Sequence, residues 1–482
     1  MMHPVPARIA QLCDEVAPLL DEAGRQTAAA IRGTVSEPLR LAVVGRVKAG
    51  KSTLVNALVG RRIAPTAAGE CTRTVTWYRY GAPERAELHL HDGTRRDLPL
   101  HDGRLPETLP TPAEDVARIV VHLQAAALRD KTLIDTPGLA TLTGGNEDAT
   151  RKAVLGVSPD GSEAASRYAA GQADAVLFVF REAERQDEVE FLRQFRSATG
   201  ELGASAVNAI GVLSQADLFG DGGSDPFAAA DAAAARLAGA RAADVSAVVA
   251  AAGLLAETAR TGLIREGDAR VLAATTGVPD QRLRLRHRLP LPDGIDVAAL
   301  ERLYTALGVH GVHEGRRHCA AGAHQLVNWL EAVSGLGRVE DLLRRSLLCR
   351  AYALKAMRAM TVLTRAADAP QADTGAVLAL IEQARLDPAL HPVRELRALR
   401  HLVAEAPTSP LRVELEQVAA DSSDPARLGL AETAAAGDIA GEARRRAAAA
   451  QSQAAFALLP TEAEAGRVLA RSYQLIARRA ES

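Results

Sequence analysis

LRLAVVGRVKAGKSTLVNAL, residues 39–58, decides how the rest of this chain is read. An apolar run from Leu41 to Val44 is followed by Gly45, four further residues, then Gly50-Lys51-Ser52-Thr53 and an amphipathic continuation. This is the order strand, glycine-containing loop, helix, with the GxxxxGKS spacing of a phosphate-binding P-loop. Glycines at 45 and 50 are expected to let the backbone curl so that successive N–H groups face one concavity. The helix beginning at Lys51 adds its positive end to the same spot. The candidate nucleotide cradle is therefore Gly45, Arg46, Val47, Lys48, Ala49, Gly50, Lys51, Ser52 and Thr53. Lys51 is placed to reach the β and γ phosphates, and the Ser52 hydroxyl to hold a magnesium ion that bridges them. The plainer reading, a glycine turn between a strand and a helix, is disfavoured by the complete motif in its context.

At 482 residues the chain is long enough for two or three domains with full cores. A formal net charge of −2 argues against a protein that coats nucleic acid. Basic residues are almost all arginine, with lysine only at 48, 51, 131, 152 and 355, so two lysines within one loop stand out. Cys13, Cys71, Cys319 and Cys349 are scattered without a CxxC, which predicts reduced thiols and a cytosolic setting. No run reaches the ~18 uninterrupted apolar residues of a spanning helix, and MMHPVPARIAQLCDEV lacks a secretory apolar region. Membrane contact is then expected to be peripheral. Aromatic residues make up only 3%, so the cores must rest on Leu, Val, Ile and Ala, which suits long helices.

Ile9, Leu12, Val16, Leu19 and Leu20 fall at helical spacing and predict one helix over residues 6–32, outside a minimal nucleotide-binding domain. Beyond the P-loop helix, RRIAPTAAGECTRTVTWYRYG is a polar loop running into a β-rich stretch at Val75 to Tyr80, the place for a nucleotide-sensing switch. A threonine there can give its hydroxyl to magnesium and its N–H to the γ-phosphate, and Thr72 and Thr74 are the candidates. Strand-like runs follow at 86–91 and 117–123. Thr132 to Gly138 (TLIDTPG) then repeats the strand-to-phosphate logic, with Asp135 suited to a water-mediated magnesium contact and the Gly138 N–H to the γ-phosphate.

Residues 141–171 read as a second switch, 173–180 as a buried strand and 186–195 as a helix. The strand at 206–213 delivers Ser214-Gln215-Ala216-Asp217 at its carboxyl end, where ligands bind in doubly wound sheets. Asp217 can accept hydrogens from N1 and N2 of guanine, which adenine does not offer; a helix-capping role is the alternative. Asp244 to Ala250 is the last strand-like run, and Ala251 and Ala252 are candidates for backbone contact with the base. From Ala298 onward nearly every run has helical spacing, including 300–307, 339–364, 375–384, 392–405, 411–419 and 435–477 with a break at Pro460. The predicted fold class is an α/β P-loop GTPase domain, with a mostly parallel doubly wound sheet, carrying an appended all-α helical bundle.

GRVKAGKSTLVNALVG (45–60), APTAAGECTRTVT (64–76), TLIDTPGL (132–139), VLSQADLFG (212–220), GLLAET (253–258) and LYTALGVHGV (303–312) together resemble the dynamin superfamily of large GTPases. The likeness is to its bacterial dynamin-like members, in particular the actinobacterial isoniazid-inducible ones. The resemblance implies an N-terminal helix over 1–34 packing on the bundle, a GTPase domain over 35–265, a connecting segment over 266–297 and a neck or trunk bundle over 298–482. It implies Thr72 as the switch threonine and GTP hydrolysis to GDP and phosphate with Mg2+. It also implies nucleotide-driven homodimerisation through GTPase domains, or pairing with a dynamin-like homologue, and work on peripherally bound lipid at the cytoplasmic membrane, without nucleic acid.

Three positions depart from the wider pattern. Leu139 follows DTPG where many GTPases carry a water-positioning glutamine. Val47 stands where eukaryotic dynamins have a catalytic glutamine. Lys48 after it either supplies charge over the α–β phosphate bridge during hydrolysis or only tightens binding. Gln215 replaces the lysine usual in the guanine motif, which predicts weaker affinity with guanine preference kept. A different function class, a nucleotide-switched scaffold for division or envelope proteins, shares every GTPase motif.

Other constellations have plainer readings. His310, His313, His318, Cys319 and His324 fit the exposed side and turns of a helical stretch better than a zinc site. His89 and His91 lack a third ligand. RLRLRHRLPLP, 282–292, reads as a solvated linker before it reads as an acidic-lipid or nucleic-acid contact. The stripe Val393, Leu396, Leu399, Leu402 beside Arg394, Arg397 and Arg400 fits core packing first and a lipid-facing surface second.

Overall fold

The structure, a computed structural model, describes residues 3–65, 74–101, 103–106, 108–137, 172–181, 205–220, 225–420 and 423–481. Among them a nine-stranded sheet has the order β4-β3-β5-β2-β6-β1-β7-β8-β9. In chain order the elements used below are α1 (Pro4–Val16), α2 (Glu22–Thr34), β1 (Leu39–Gly45), α3 (Lys51–Val59), β2 (Thr76–Tyr80), β3 (Arg85–Leu90), β4 (Arg95–Leu98), β5 (Val116–Leu123), β6 (Lys131–Asp135), β7 (Ala175–Phe180), β8 (Ala209–Leu213) and β9 (Val248–Ala250). They continue with α4 (Gly253–Arg260), α5 (Val297–Gly315), α6 (Ala351–Ala366), α7 (His391–Glu405), α8 (Ala436–Phe456) and α9 (Pro460–Glu481).

Strand β1 is buried along its whole length because parallel neighbours β6 and β7 flank it and helices cover both faces. The sheet continues parallel through β8 and β9, while β2 meets β6 antiparallel and β3 and β4 form an antiparallel edge. This is the mostly parallel, doubly wound arrangement expected. One face packs on α3 and on residues 336–347, and the other on Pro226–Ala240, α4 and α5.

Outside the sheet, α1 and α2 share a core with α6, Thr374–Leu386 and the start of α7. A second bundle core joins α7, Leu411–Val418, α8 and α9. The single N-terminal helix expected over 6–32 is two. Pro18 lies in a 3-10 turn, and the Asp21 carboxylate caps α2 by accepting from the Gly24 N–H at 2.7 Å. The continuous helix expected over 339–364 is likewise split, by a 3-10 turn at Leu348–Arg350. Pro460 breaks the last long run as expected, starting α9. The apolar stripe Val393, Leu396, Leu399 and Leu402 of α7 is buried in the bundle, so that face is core.

Candidate functional site

At the end of β1 the chain turns into α3 through a left-handed Gly50, φ +85°. An L side chain rarely adopts that conformation, which is why glycine stands there. Gly45 serves differently from the expectation of backbone curl. It is the last residue of β1, and a Cβ there would lie 2.5 Å from the Val179 carbonyl oxygen of β7. Lys48 is also left-handed, φ +64°, and exposed at the crest of the loop beside Val47.

Lys51 is buried beneath the loop, where its Nζ donates to the carbonyls of Gly45 at 3.0 Å and Arg46 at 2.9 Å. Burial lowers its pKa, and the Asp135 charge opposes that shift. Parallel pairing of β1 with β6 puts Val43 opposite Asp135. From the end of β6, Asp135 accepts from the Ser52 hydroxyl at 2.9 Å. The carboxylate is buried, and burial raises its pKa against the pull of Lys51 and Ser52. Its Oδ1 is buried with no hydrogen-bond partner among the described residues. The Asp135 Oδ1 and the Ser52 hydroxyl are oxygen groups that could serve as ligands of a hard cation. Thr136 anchors the next turn by donating to the Val43 carbonyl at 2.9 Å.

Strand β8 delivers the base-motif residues. The Ser214 hydroxyl is spent on the Phe180 carbonyl at 2.9 Å, Gln215 is left-handed, and Asp217 lies half-buried with its pKa raised by burial. Helix α5 breaks at Gly308, φ +69° and ψ −178°, where a Cβ would come 3.5 Å from Asp217 Oδ2. The backbone N–H of Asp217 itself, and then His310, oppose the shift on its carboxyl. Within LYTALGVHGV the positive-φ Gly308 lies beside Asp217, a proximity that only the tertiary fold creates. The Ala251 and Ala252 N–H groups are not available to a base, because they donate to the Leu213 and Ser334 carbonyls at 2.9 and 2.8 Å.

The structure thus brings Gly45 through Thr53 together with Asp135, and holds Ser214, Gln215 and Asp217 at the carboxyl end of β8. Thr72, Gly138, Leu139 and the 141–171 and 186–195 segments lie outside the described residues. Thr74, the other switch candidate, is described and buried. The histidine segment does not gather as a metal site: the Tyr304 hydroxyl and His313 Nε2 are 3.0 Å apart, His318 stacks on Trp329, and Cys319 donates to the Gly315 carbonyl. Among the described residues no group of three or more His, Cys, Asp or Glu is placed to hold a metal. The basic 282–292 run is partly tied down, with Arg286 paired to Glu301 at 2.6 Å and over the Tyr304 ring.

A P-loop nucleotide site on a doubly wound sheet, joined to a helical bundle, defines a nucleotide-binding protein of the large-GTPase kind. Residues 41–215 match the Dynamin family. The isoniazid-induced protein IniC of Mycobacterium tuberculosis (strain ATCC 25618 / H37Rv) is 33% identical over 398 residues, covering 78% of this chain and 76% of that protein. A bacterial dynamin-like protein of Nostoc punctiforme is 32% identical over 123 residues, 22% of this chain and 18% of its own. Among solved structures, a chain of an oligomerised bacterial dynamin pair covers 98% of this chain and 90% of its own, at 11% identity and a TM-score of 0.36. This chain belongs to the dynamin family and is a GTPase.

Proposed function

We propose that this chain couples GTP hydrolysis and pairing of its GTPase domains, with itself or a dynamin-like homologue, to binding, remodelling or tethering of the cytoplasmic membrane from its inner face. The membrane half of this reading is carried by one observation. At the turn between the two longest helices, α8 and α9, Phe456 is 82% exposed and Leu458 94%, with Leu459 beside them. Side chains of this size gain about 1.5–3 kcal/mol each on leaving water, so a bilayer interface is a natural receptor for them. No helix among the described residues is long and apolar enough to cross a membrane, which fits contact through a tip.

For the chemistry, Lys51 would exchange its two loop carbonyls for the β and γ phosphates, and the loop N–H groups would orient the same oxygens. The Ser52 hydroxyl and the unpartnered Asp135 oxygen fit a hard cation that prefers oxygen donors, with Ser52 holding Mg2+ directly and Asp135 through water. Bound there, the ion would neutralise charge developing on the phosphates. Thr72 and Gly138 would close on the γ-phosphate, Lys48 would add charge during hydrolysis, and Asp217, with Ser214 and Gln215 beside it, would select guanine.

The test is the specific GTPase rate against protein concentration, with and without liposomes of anionic lipid. A rate that climbs with concentration, and co-sedimentation that Phe456→Glu/Leu458→Glu abolishes, are the expected results. A flat rate without lipid binding would replace this reading by the nucleotide-switched scaffold for division or envelope proteins.

A further inference from the structure

Away from the nucleotide site, a cavity of about 280 Å3 opens where the start of α1, the 3-10 turn before α6, and helices α7 and α9 converge. It lies between the two bundle cores. Part of its wall is apolar, from Val5, Tyr352, Pro392 and Leu475, and His3 stacks on Tyr352 with ring centroids 4.3 Å apart.

The polar wall is unevenly paired. Three guanidiniums, of Arg350, Arg427 and Arg479, face two carboxylates, Glu395 and Asp424. Arg427 forks onto Glu395 at 2.7 and 2.9 Å, and Arg479 onto Asp424 at 2.9 and 2.7 Å. Arg350 has no carboxylate fork of its own, although the charges of Cys349, Glu416 and Glu395 partly offset its burial. It is 6% exposed, its Nη2 donates only to the Glu416 carbonyl at 2.8 Å, and its Nε–H is buried with no hydrogen-bond partner among the described residues. A buried guanidinium with a spare donor is costly unless something supplies an acceptor and a charge. His391, beside Ser472 Oγ at 2.8 Å, is kept neutral by burial and the charges of Arg394, Arg427 and Arg471, and an imidazole supplies no negative charge in either state.

We propose that this cavity is a binding site for a small amphiphilic monoanion, its carboxylate on Arg350 and its short apolar body along Val5, Tyr352, Pro392 and Leu475. The volume of about 280 Å3 falls just below the roughly 300 to 1,000 Å3 of ligand sites, so a chain of about eight carbons is the size to try. A planar carboxylate matches the guanidinium fork better than a point anion does. An occupant would touch both bundle cores at once and so stiffen the joint between the part that meets the GTPase domain and the hairpin of α8 and α9.

The experiment uses the full chain and octanoate as the probe, read by thermal unfolding and by the alkylation rate of Cys349, which lines the cavity, followed by the mass of its peptide. Octanoate is expected to raise the unfolding temperature saturably by several degrees and to slow Cys349 alkylation at least three-fold. Octanol and octyltrimethylammonium are expected to do neither. Arg350→Met is expected to abolish both effects while GTP turnover stays unchanged; should that variant not fold, the alkylation contrast among the three probes on the unaltered protein decides. No octanoate effect at millimolar concentration, or equal effects from octanol, would overturn the proposal. So would Cys349 protection by phosphatidylglycerol vesicles without protection by octanoate, which would assign it to a bilayer surface.

Discussion

At the scale of single residues, the loop is held by contacts that, on the function proposed above, a nucleotide would replace. Lys51 is anchored to two carbonyls of its own loop, and Ser52 to Asp135. Ser52→Asn should keep the fold and cripple magnesium binding. A bound metal supplies several kcal/mol of charge stabilisation, so at about 1.4 kcal/mol per tenfold turnover should fall by roughly 10²–10³. Unchanged turnover would remove Ser52 from the site. For Lys48→Ala we expect kcat to fall further than nucleotide affinity, because the side chain is exposed on a left-handed residue of the loop. Equal losses would reduce Lys48 to a binding residue. Most of these residues were legible in the sequence because the P-loop is local: its function is written in consecutive positions. Gly45 was legible as a site residue but not for its reason, which is the close approach of Val179, on a strand far along the chain.

At the scale of elements, α5 and α7 each carry one feature that sequence periodicity does not express. Gly308 breaks α5 in a conformation essentially confined to glycine, beside Asp217. Gly308→Val should destabilise the protein by about 1–3 kcal/mol, visible as a lower melting temperature, and should weaken GTP binding. A variant as stable as the parent would mean that the helix reforms unbroken. In α7, burial and the charges of Arg394, Arg427 and Arg471 press the His391 pKa from its ordinary 6.5 down to about 3. Between those values the unfolded chain binds a proton that the folded state refuses. Stability from this group is therefore complete above pH 6.5 and lost as pH falls toward 3, by up to about 1.4 kcal/mol per unit. Glu395, whose pKa burial raises, works in the opposite sense, and Arg427 and Ser472 are bonded to it. Replacing His391 by Gln isolates the histidine share: its loss of stability between pH 7 and pH 5, in urea titrations, should be smaller than the parent's. The helices themselves were readable from apolar spacing. The break at Pro460 was readable too, but the 3-10 turn of Leu348–Arg350 was not, because no proline or glycine marks it.

At the scale of the whole molecule, the GTPase sheet is joined to the bundle through a buried ion pair. Lys355 of α6 meets Asp174, just before β7, at 3.2 Å, and its Nζ also donates to the Thr34 carbonyl at 3.1 Å. The Arg40 N–H donates to the same carboxylate at 3.0 Å. Removing one partner of an enclosed pair strands the other's charge, so Lys355→Met should cost about 3–5 kcal/mol; a shift in melting temperature within error would show that water reaches Asp174. The P-loop motif, the doubly wound sheet and the helical character of the C-terminal part were readable in the chain alone, because each rests on local spacing or on a strand's own composition. What the long-range pairs do became visible with the fold. Asp174 with Lys355, Asp217 with Gly308, the spare donor of Arg350 and the bare tip at Phe456 and Leu458 are each defined by what lies across space, and burial cannot be counted until the chain has closed on itself.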